Sequence, residues 1–336
     1  MEETIAMTVR CNSALYRRTF FFLLILFCVM AGDYKTFADD KYVVIGDSYT
    51  GTNYGQIDLP WPEQLRKELG LSKKNFVISR KGGTGFATGF TFKNLLLKVP
   101  ADPEVTYRIV AGGVGNDLRS DKQTIRETFI EFNRLARKRF PNAVILYTAP
   151  NWAQTRDRRV SIYEALRFYK RLCAQYGWIY MQKTSNTLHT AKGLAIGFLE
   201  DQHHPSQEGH DLIAARFAKE LQEIQKSFVK AEPGQISITE SIRTTYEYLK
   251  EVKIKASFEN PLITIKKLYW ISSDEDIAEV NQNGKVTIYA PGKCVITARS
   301  VDGSGIKLRC RLTVEEAAEN DSDNPVQDRG VLYIGG

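Results

Sequence analysis

A chain of 336 residues has room for two cores, and 43% hydrophobic with 25% charged residues is the balance of an ordinary globular protein. That balance excludes a disordered or membrane-filling chain. The formal charge of +7 is spread over scattered Lys and Arg, with no basic cluster interleaved with aromatics, so no nucleic-acid partner is expected. No Cys/His spacing suits a metal, and neither metal nor cofactor is expected.

At the N-terminus Arg10, Arg17 and Arg18 precede the apolar run Phe20 to Ala31, and Thr36-Phe37-Ala38 follows as a cleavage site. This is the pattern of a secretory signal peptide over 1–38, and the run is short for a bilayer span. The mature chain is expected to begin near Asp39 and to be secreted or held at the cell surface. An uncleaved N-terminal anchor is the alternative. Removing the segment takes Cys11 and Cys28 with it and leaves Cys173, Cys294 and Cys310, an odd number that gives no disulfide framework.

From Lys41 the pattern alternates. Tyr42-Val43-Val44-Ile45 is an apolar run ending at Gly46, as in a buried parallel strand. Pro62 to Leu69 before Gly70 predicts a helix with a glycine stop. Strands follow at Phe76 to Ile78 and Tyr107 to Val110. A helix over Ile125 to Phe140 repeats Ile125, Phe129, Phe132 and Leu135 at helical spacing. Ala143 to Tyr147 is a fourth strand, Ile162 to Tyr176 a helix, and Trp178 to Tyr180 a fifth strand. Leu212, Ile213, Phe217 and Leu221 make the last helix amphipathic. Such alternation predicts an α/β unit over 39–229, a parallel sheet covered on both faces, with ligands at the carboxyl ends of its strands.

Beyond Lys230 the alternation stops. Ile236 to Val314 is rich in β-branched residues, with turn signals such as Asn283-Gly284 and Asp302-Gly303 at short intervals. That predicts a small β-sandwich over 236–315. With a turn centred on Asp302-Gly303, Cys294 and Cys310 sit about two pairs out of register, which does not favour a bond. The polar run over 316–336 reads as a disordered tail.

Four segments carry chemistry. Gly46-Asp47-Ser48-Tyr49 follows the first strand, Gly82-Gly83-Thr84-Gly85 the second, and Gly112 to Asp117 the third, so three loops deliver polar residues to one sheet edge. Asp201-Gln202-His203-His204-Pro205 precedes the last helix, with Ser206 its expected N-cap. A serine hydroxyl is a poor nucleophile until an imidazole takes its proton and a carboxylate holds that imidazole in the right tautomer. Ser48, His204 and Asp201 supply those groups. His203 is the competing imidazole, His210 is expected to be solvated or a support behind the site, and His189 has no chemical context. Among aromatics near this edge, Trp61 is expected to pack its helix on the sheet, and Phe86 and Trp152 to line the substrate.

In this order the four segments resemble the SGNH (GDSL-type) ester hydrolases, while 236–315 closely resembles the bacterial Ig-like group 2 domain. The first resemblance implies a three-layer α/β/α flavodoxin-like fold with a five-stranded parallel sheet. It also implies an oxyanion hole made by the Ser48 N–H, a loop glycine (Gly83, then Gly85) and the Asn116 amide. It favours His204 over His203. Leucine usually follows the family's serine; Tyr49 stands here, a departure expected to affect packing more than chemistry. The expected function is a secreted serine esterase removing a short acyl group, acetyl foremost, from a carbohydrate, with glycan or cell-surface contact through the Ig-like module. The alternatives are a lipase or phospholipid acyl hydrolase, and a non-catalytic glycan-binding adhesion protein.

Overall fold

The computed structural model describes residues 40–51, 57–151, 156–198, 201 and 203–317. The expected signal segment, residues 318–336 of the tail, and Trp152 fall outside them. The first unit runs β1 (Tyr42–Gly46), α1 (Trp61–Glu68), β2 (Phe76–Arg80), α2 (Phe92–Leu97), β3 (Tyr107–Ala111), α3 (Val114–Asp117) and α4 (Lys122–Arg139). It continues through β4 (Val144–Thr148), α5 (Arg156–Tyr176), β5 (Ile179–Tyr180), α6 (Gln182–Ser185), α7 (Ala191–Ile196) and α8 (Gln207–Ser227).

The sheet order is β2-β1-β3-β4-β5, and every neighbouring pair is parallel. β1 is buried along its whole length, which is why its sequence is a continuous apolar run rather than an alternating one. Val43 and Ile45 share a core with Phe92, Phe129, Phe132 and Leu166 of α2, α4 and α5. The other face is covered by α1 and α8, where Trp61 stacks on Phe217 at 5.5 Å and Gln225 bonds the Tyr107 hydroxyl at 3.2 Å. The expected three-layer α/β/α arrangement is therefore present. Strand order reverses between β1 and β3, the switch point at which the loops splay apart and leave a crevice.

The second unit holds β6 (Ile236–Ile238), β7 (Ser241–Thr245), β8 (Glu251–Lys253), β9 (Ala256–Phe258), β10 (Leu268–Ser272), β11 (Ala278–Val280), β12 (Lys285–Ile288), β13 (Gly292–Ser300) and β14 (Lys307–Glu315). Its sheets are β10-β13-β14-β7 and β11-β12-β8, with β6-β9 as a separate pair. Trp270, Ile296, Cys310 and Leu312 lie in their shared core. Gly284 has φ +75° in the turn between β11 and β12, and a Cβ there would stand 3.0 Å from the Trp270 ring. Cys294 lies opposite Leu312 and Cys310 opposite Ile296, and both are free, buried thiols.

The sandwich packs against the amino edge of the sheet. Gly177, before β5, faces Val301 and Ile265; Asn142, before β4, faces Gly303; and the Ala231 N–H after α8 bonds Asp302 at 2.6 Å. The carboxyl edge is left to the loops.

Candidate active site

Gly46 ends β1 because the chain must turn at once: a Cβ there would lie 2.2 Å from Thr50 Cγ2. Asp47 caps the short turn Ser48–Thr50, its Oδ1 accepting the Tyr49 N–H at 2.9 Å and its carbonyl the Thr50 hydroxyl at 2.6 Å. This places Ser48 at the mouth of the crevice, 8% exposed.

The partner loop is shaped by its own acid. Asp201 Oδ1 accepts the N–H groups of His203 and His204, each at 2.9 Å, and Oδ2 meets His204 Nδ1 at 2.5 Å. A carboxylate only accepts, so Nδ1 carries a proton, and in the neutral ring the lone pair is then on Nε2. That Nε2 lies 3.1 Å from Ser48 Oγ. Burial tends to raise Asp201, yet the hydrogen bonds from the His204 ring and the two N–H groups outweigh it and hold the carboxyl below its ordinary range. Ser206 caps α8, accepting the Gly209 N–H at 3.1 Å and donating to the Ile196 carbonyl at 2.5 Å.

A third loop closes the crevice from β3. Gly112 (φ +92°) and Gly113 (φ +83°) take conformations closed to most side chains, and a Cβ on Gly112 would lie 2.2 Å from the Asp47 carboxylate. The Gly113 N–H bonds Asp47 Oδ2 at 2.7 Å, tying the β1 and β3 loops across the switch point. Asn116 Nδ2 donates to the Thr84 carbonyl at 2.8 Å, with Asp47 Oδ2 at 3.4 Å. Asp117 then anchors the glycine loop. It accepts the N–H groups of Phe86 (2.9 Å) and Ala87 (2.8 Å) and the Tyr169 hydroxyl (2.5 Å).

The geometry separates the loop glycines. The Gly85 N–H is committed to Thr88 Oγ1 at 3.0 Å, and a Cβ on Gly85 would sit 2.2 Å from Asp117 Oδ1. Gly83 is exposed at φ +75° with open space around it. Among the described residues the N–H groups of Ser48 and Gly83 have no hydrogen-bond partner, which leaves both available to a developing oxyanion.

Phe86 requires correction. It is 1% exposed, at the centre of an aromatic core with Phe92, Phe129, Phe132, Tyr169 and Trp178, because Asp117 draws its backbone inward. It lines no substrate. The reading of Trp152 lies outside the described residues. His210 is not solvated either: it is 1% exposed, with Nδ1 accepting the Trp61 N–H at 3.3 Å, and burial pushes it down to about 4. His189 Nε2 lies 3.0 Å from the Asn151 carbonyl. His203 faces Tyr49 and Gly115 rather than Ser48.

Three residues go beyond the sequence reading. Asp47 is 1% exposed, and burial pushes its carboxyl up to about 7 despite the N–H bonds from Gly113 and Tyr49. Burial likewise raises Asp117, against its bonds from Tyr169, Ala87 and Phe86. Tyr49 does more than pack: its hydroxyl donates to the His203 carbonyl, and its ring lies 6.0 Å from that of His204. The signal for Tyr49 was its departure from leucine beside the serine. Asp47 and Asp117 stood inside the quoted motifs, yet only folding shows what their carboxylates hold. Among the described residues no group of three His, Cys, Asp or Glu is placed to hold a metal.

The molecule is thus a doubly wound α/β protein with a serine–imidazole–carboxylate chain at its switch point, followed by a β-sandwich. The family model of the bacterial Ig-like domain (group 2) matches residues 234–308. Solved structures similar to the chain are GDSL-type lipolytic proteins. They include a lipolytic protein of the G-D-S-L family from Veillonella parvula (15% identity, TM-score 0.42, covering 53% of this chain and 96% of that one). A phospholipase A1 from Streptomyces albidoflavus is 15% identical, with TM-score 0.42, 55% of this chain and 99% of that one covered. A lipase/acylhydrolase from Enterococcus faecalis is 16% identical, with TM-score 0.41 and 55% and 96% covered. Two uncharacterized proteins of Clostridium acetobutylicum are 36% identical over 64 residues and 33% identical over 72. Those stretches are 19% and 21% of this chain but 7% and 16% of theirs, so the chain spans a small part of the curated relatives it matches.

Proposed function

We propose that the chain is a serine hydrolase of carboxylic esters, secreted or held at the cell surface, with its hydrolase unit over 39–229 and an Ig-like unit over 236–315. The observation that carries this reading is the continuous relay from Asp201 Oδ2 to His204 Nδ1 (2.5 Å) and from His204 Nε2 to Ser48 Oγ (3.1 Å). In the reaction Ser48 Oγ attacks the ester carbon while its proton passes to His204 Nε2, and Asp201 stabilises the imidazolium. The negative oxygen is held by the Ser48 and Gly83 N–H groups, joined by the Asn116 amide when it exchanges its long 3.4 Å contact with Asp47 Oδ2 for the oxyanion. His204 returns the proton to the leaving alcohol, and water then frees the acid from Ser48 by the same relay.

A short acyl group, acetyl foremost, on a carbohydrate is the substrate this reading favours. With Phe86 withdrawn into the core, the one described aromatic expected to wall an acyl slot is gone. The test is a series of p-nitrophenyl esters from acetate to laurate beside acetylated polysaccharides, with Ser48→Ala as control. Acetate ester turned over fastest, together with acetate released from polysaccharide, supports the reading. Faster turnover of long chains overturns it in favour of a lipase, and polysaccharide binding with hydrolysis unchanged in Ser48→Ala favours an adhesion protein.

A further inference from the structure

The ester chemistry leaves unused a recess of about 560 Å³ between α4 and the sandwich. α4 supplies Arg134, Arg137 and Lys138 to it, β13 supplies Arg299, and β10 supplies Tyr269. Its single acidic lining residue, Glu131, is already paired with Lys93 at 2.7 Å. Among the described residues the other four cations form no ion pair.

Arg137 is 3% exposed and gives one N–H to the Ala143 carbonyl at 2.8 Å, while its Nε and Nη2 have no partner. Arg299 Nε is buried and unpartnered as well. A buried guanidinium without a counter-charge costs stability that an arriving anion restores. Burial raises the Tyr269 hydroxyl above its ordinary value; Arg134, Arg137 and Arg299 pull it back, and Glu275 opposes them. Arg134 and Arg137 of α4 and Arg299 of β13 therefore line one recess with Tyr269.

These features select a ligand. The unpaired cations want an acid, and the Tyr269 ring beside Leu135 and Ile271 wants the apolar face of a ring. At about 560 Å³ the recess admits a sugar residue, and it opens broadly enough to solvent for the rest of a polymer to run out of it. We propose that the recess binds an acidic sugar unit of a polysaccharide, its acid facing Arg134 and Arg299 with Arg137 behind them, and its ring against Tyr269. Bound there, the polymer is held on the module side of the sheet, away from Ser48.

The test is calorimetric titration of the full chain with a galacturonic acid tetramer, the neutral galactose tetramer and inorganic phosphate. The acidic tetramer should bind at least about tenfold more tightly than either of the others, and an Arg134→Ala/Arg299→Ala double variant should lose about tenfold or more of that affinity. Lys255→Ala, an exposed lysine of the sandwich outside the recess, should stay within about twofold. An unchanged unfolding midpoint for the double variant shows that its loss is local. No binding of the acidic tetramer, equal binding of the neutral one, phosphate binding as tightly as the tetramer, or full affinity in the double variant would each overturn the proposal. No variant touches Ser48, so this outcome is independent of whether the ester reading holds.

Discussion

At the carboxyl edge of the sheet, loops from β1, β2 and β3 are tied to one another by polar groups, the buried Asp47 and Asp117 and the half-buried Asn116 among them. At the amino edge the sandwich is held by apolar contact, such as Val301 against Gly177, with an occasional buried polar cap such as Asp302. One sheet thus has an edge where desolvated carboxylates hold loops in register and an edge where close packing joins two cores. The first arrangement sacrifices stability to position groups; the second only adds stability. Substitutions at the two edges should therefore separate rate from stability.

The largest expected effect is on rate. On the proposed mechanism Asn116 is an oxyanion donor, so Asn116→Ala should lower kcat by about a hundredfold or more, on the order of 3 kcal/mol, with little change in KM. A loss confined to KM would break the assignment.

Asp47 sharpens the stability half of the comparison. Burial raises its folded value to about 7 from an ordinary 3.8. Between those values the folded chain holds a proton that the unfolded chain has lost. Its contribution to stability is therefore full below about pH 4 and is lost as pH rises through about 7. Asp47→Asn removes that contribution, so the destabilisation it causes should be greatest near pH 4 and shrink toward pH 8, by on the order of 2–4 kcal/mol. Urea midpoints across this range measure it; a cost that grows with pH contradicts the account.

At the opposite edge, Asp302→Ala leaves the buried Ala231 N–H without its acceptor. It should cost about 1–3 kcal/mol in unfolding free energy and leave ester turnover unchanged. A parallel fall in kcat would mean that the edges are coupled. The smallest effect belongs to Tyr49→Phe, which removes the bond to the His203 carbonyl beside the imidazole. It should reduce kcat by about three- to tenfold with an unfolding midpoint close to that of the parent chain.

The sheet was legible because β1 and β4 are continuous apolar runs, β3 is one broken only by Arg108, and glycine or proline follows each, and because α4 and α5 are long enough to show a period. α2 and α3, of six and four residues, are too short for one and pass for loop in the sequence. Ser48, His204, Asp201 and Asn116 were singled out by their motifs; the structure places Asp201, His204 and Ser48 in one hydrogen-bonded row and Asn116 beside Asp47, while their roles belong to the proposal. Phe86 was misread for a physical reason. An aromatic in a glycine-rich loop looks exposed unless one knows that Asp117, 31 residues away, bonds its N–H and draws it into the core. The same long-range bonds hid Asp117. The recess beside α4 was invisible as well, since Arg134 and Arg299 share it only once the sandwich has docked.

The most direct test of the central claim is covalent labelling with a fluorophosphonate, followed by peptide mapping. The account predicts one adduct per chain, on Ser48, with labelling slowed by orders of magnitude in His204→Ala. An adduct on another residue, or labelling of Ser48 at the same rate without the imidazole, would contradict it.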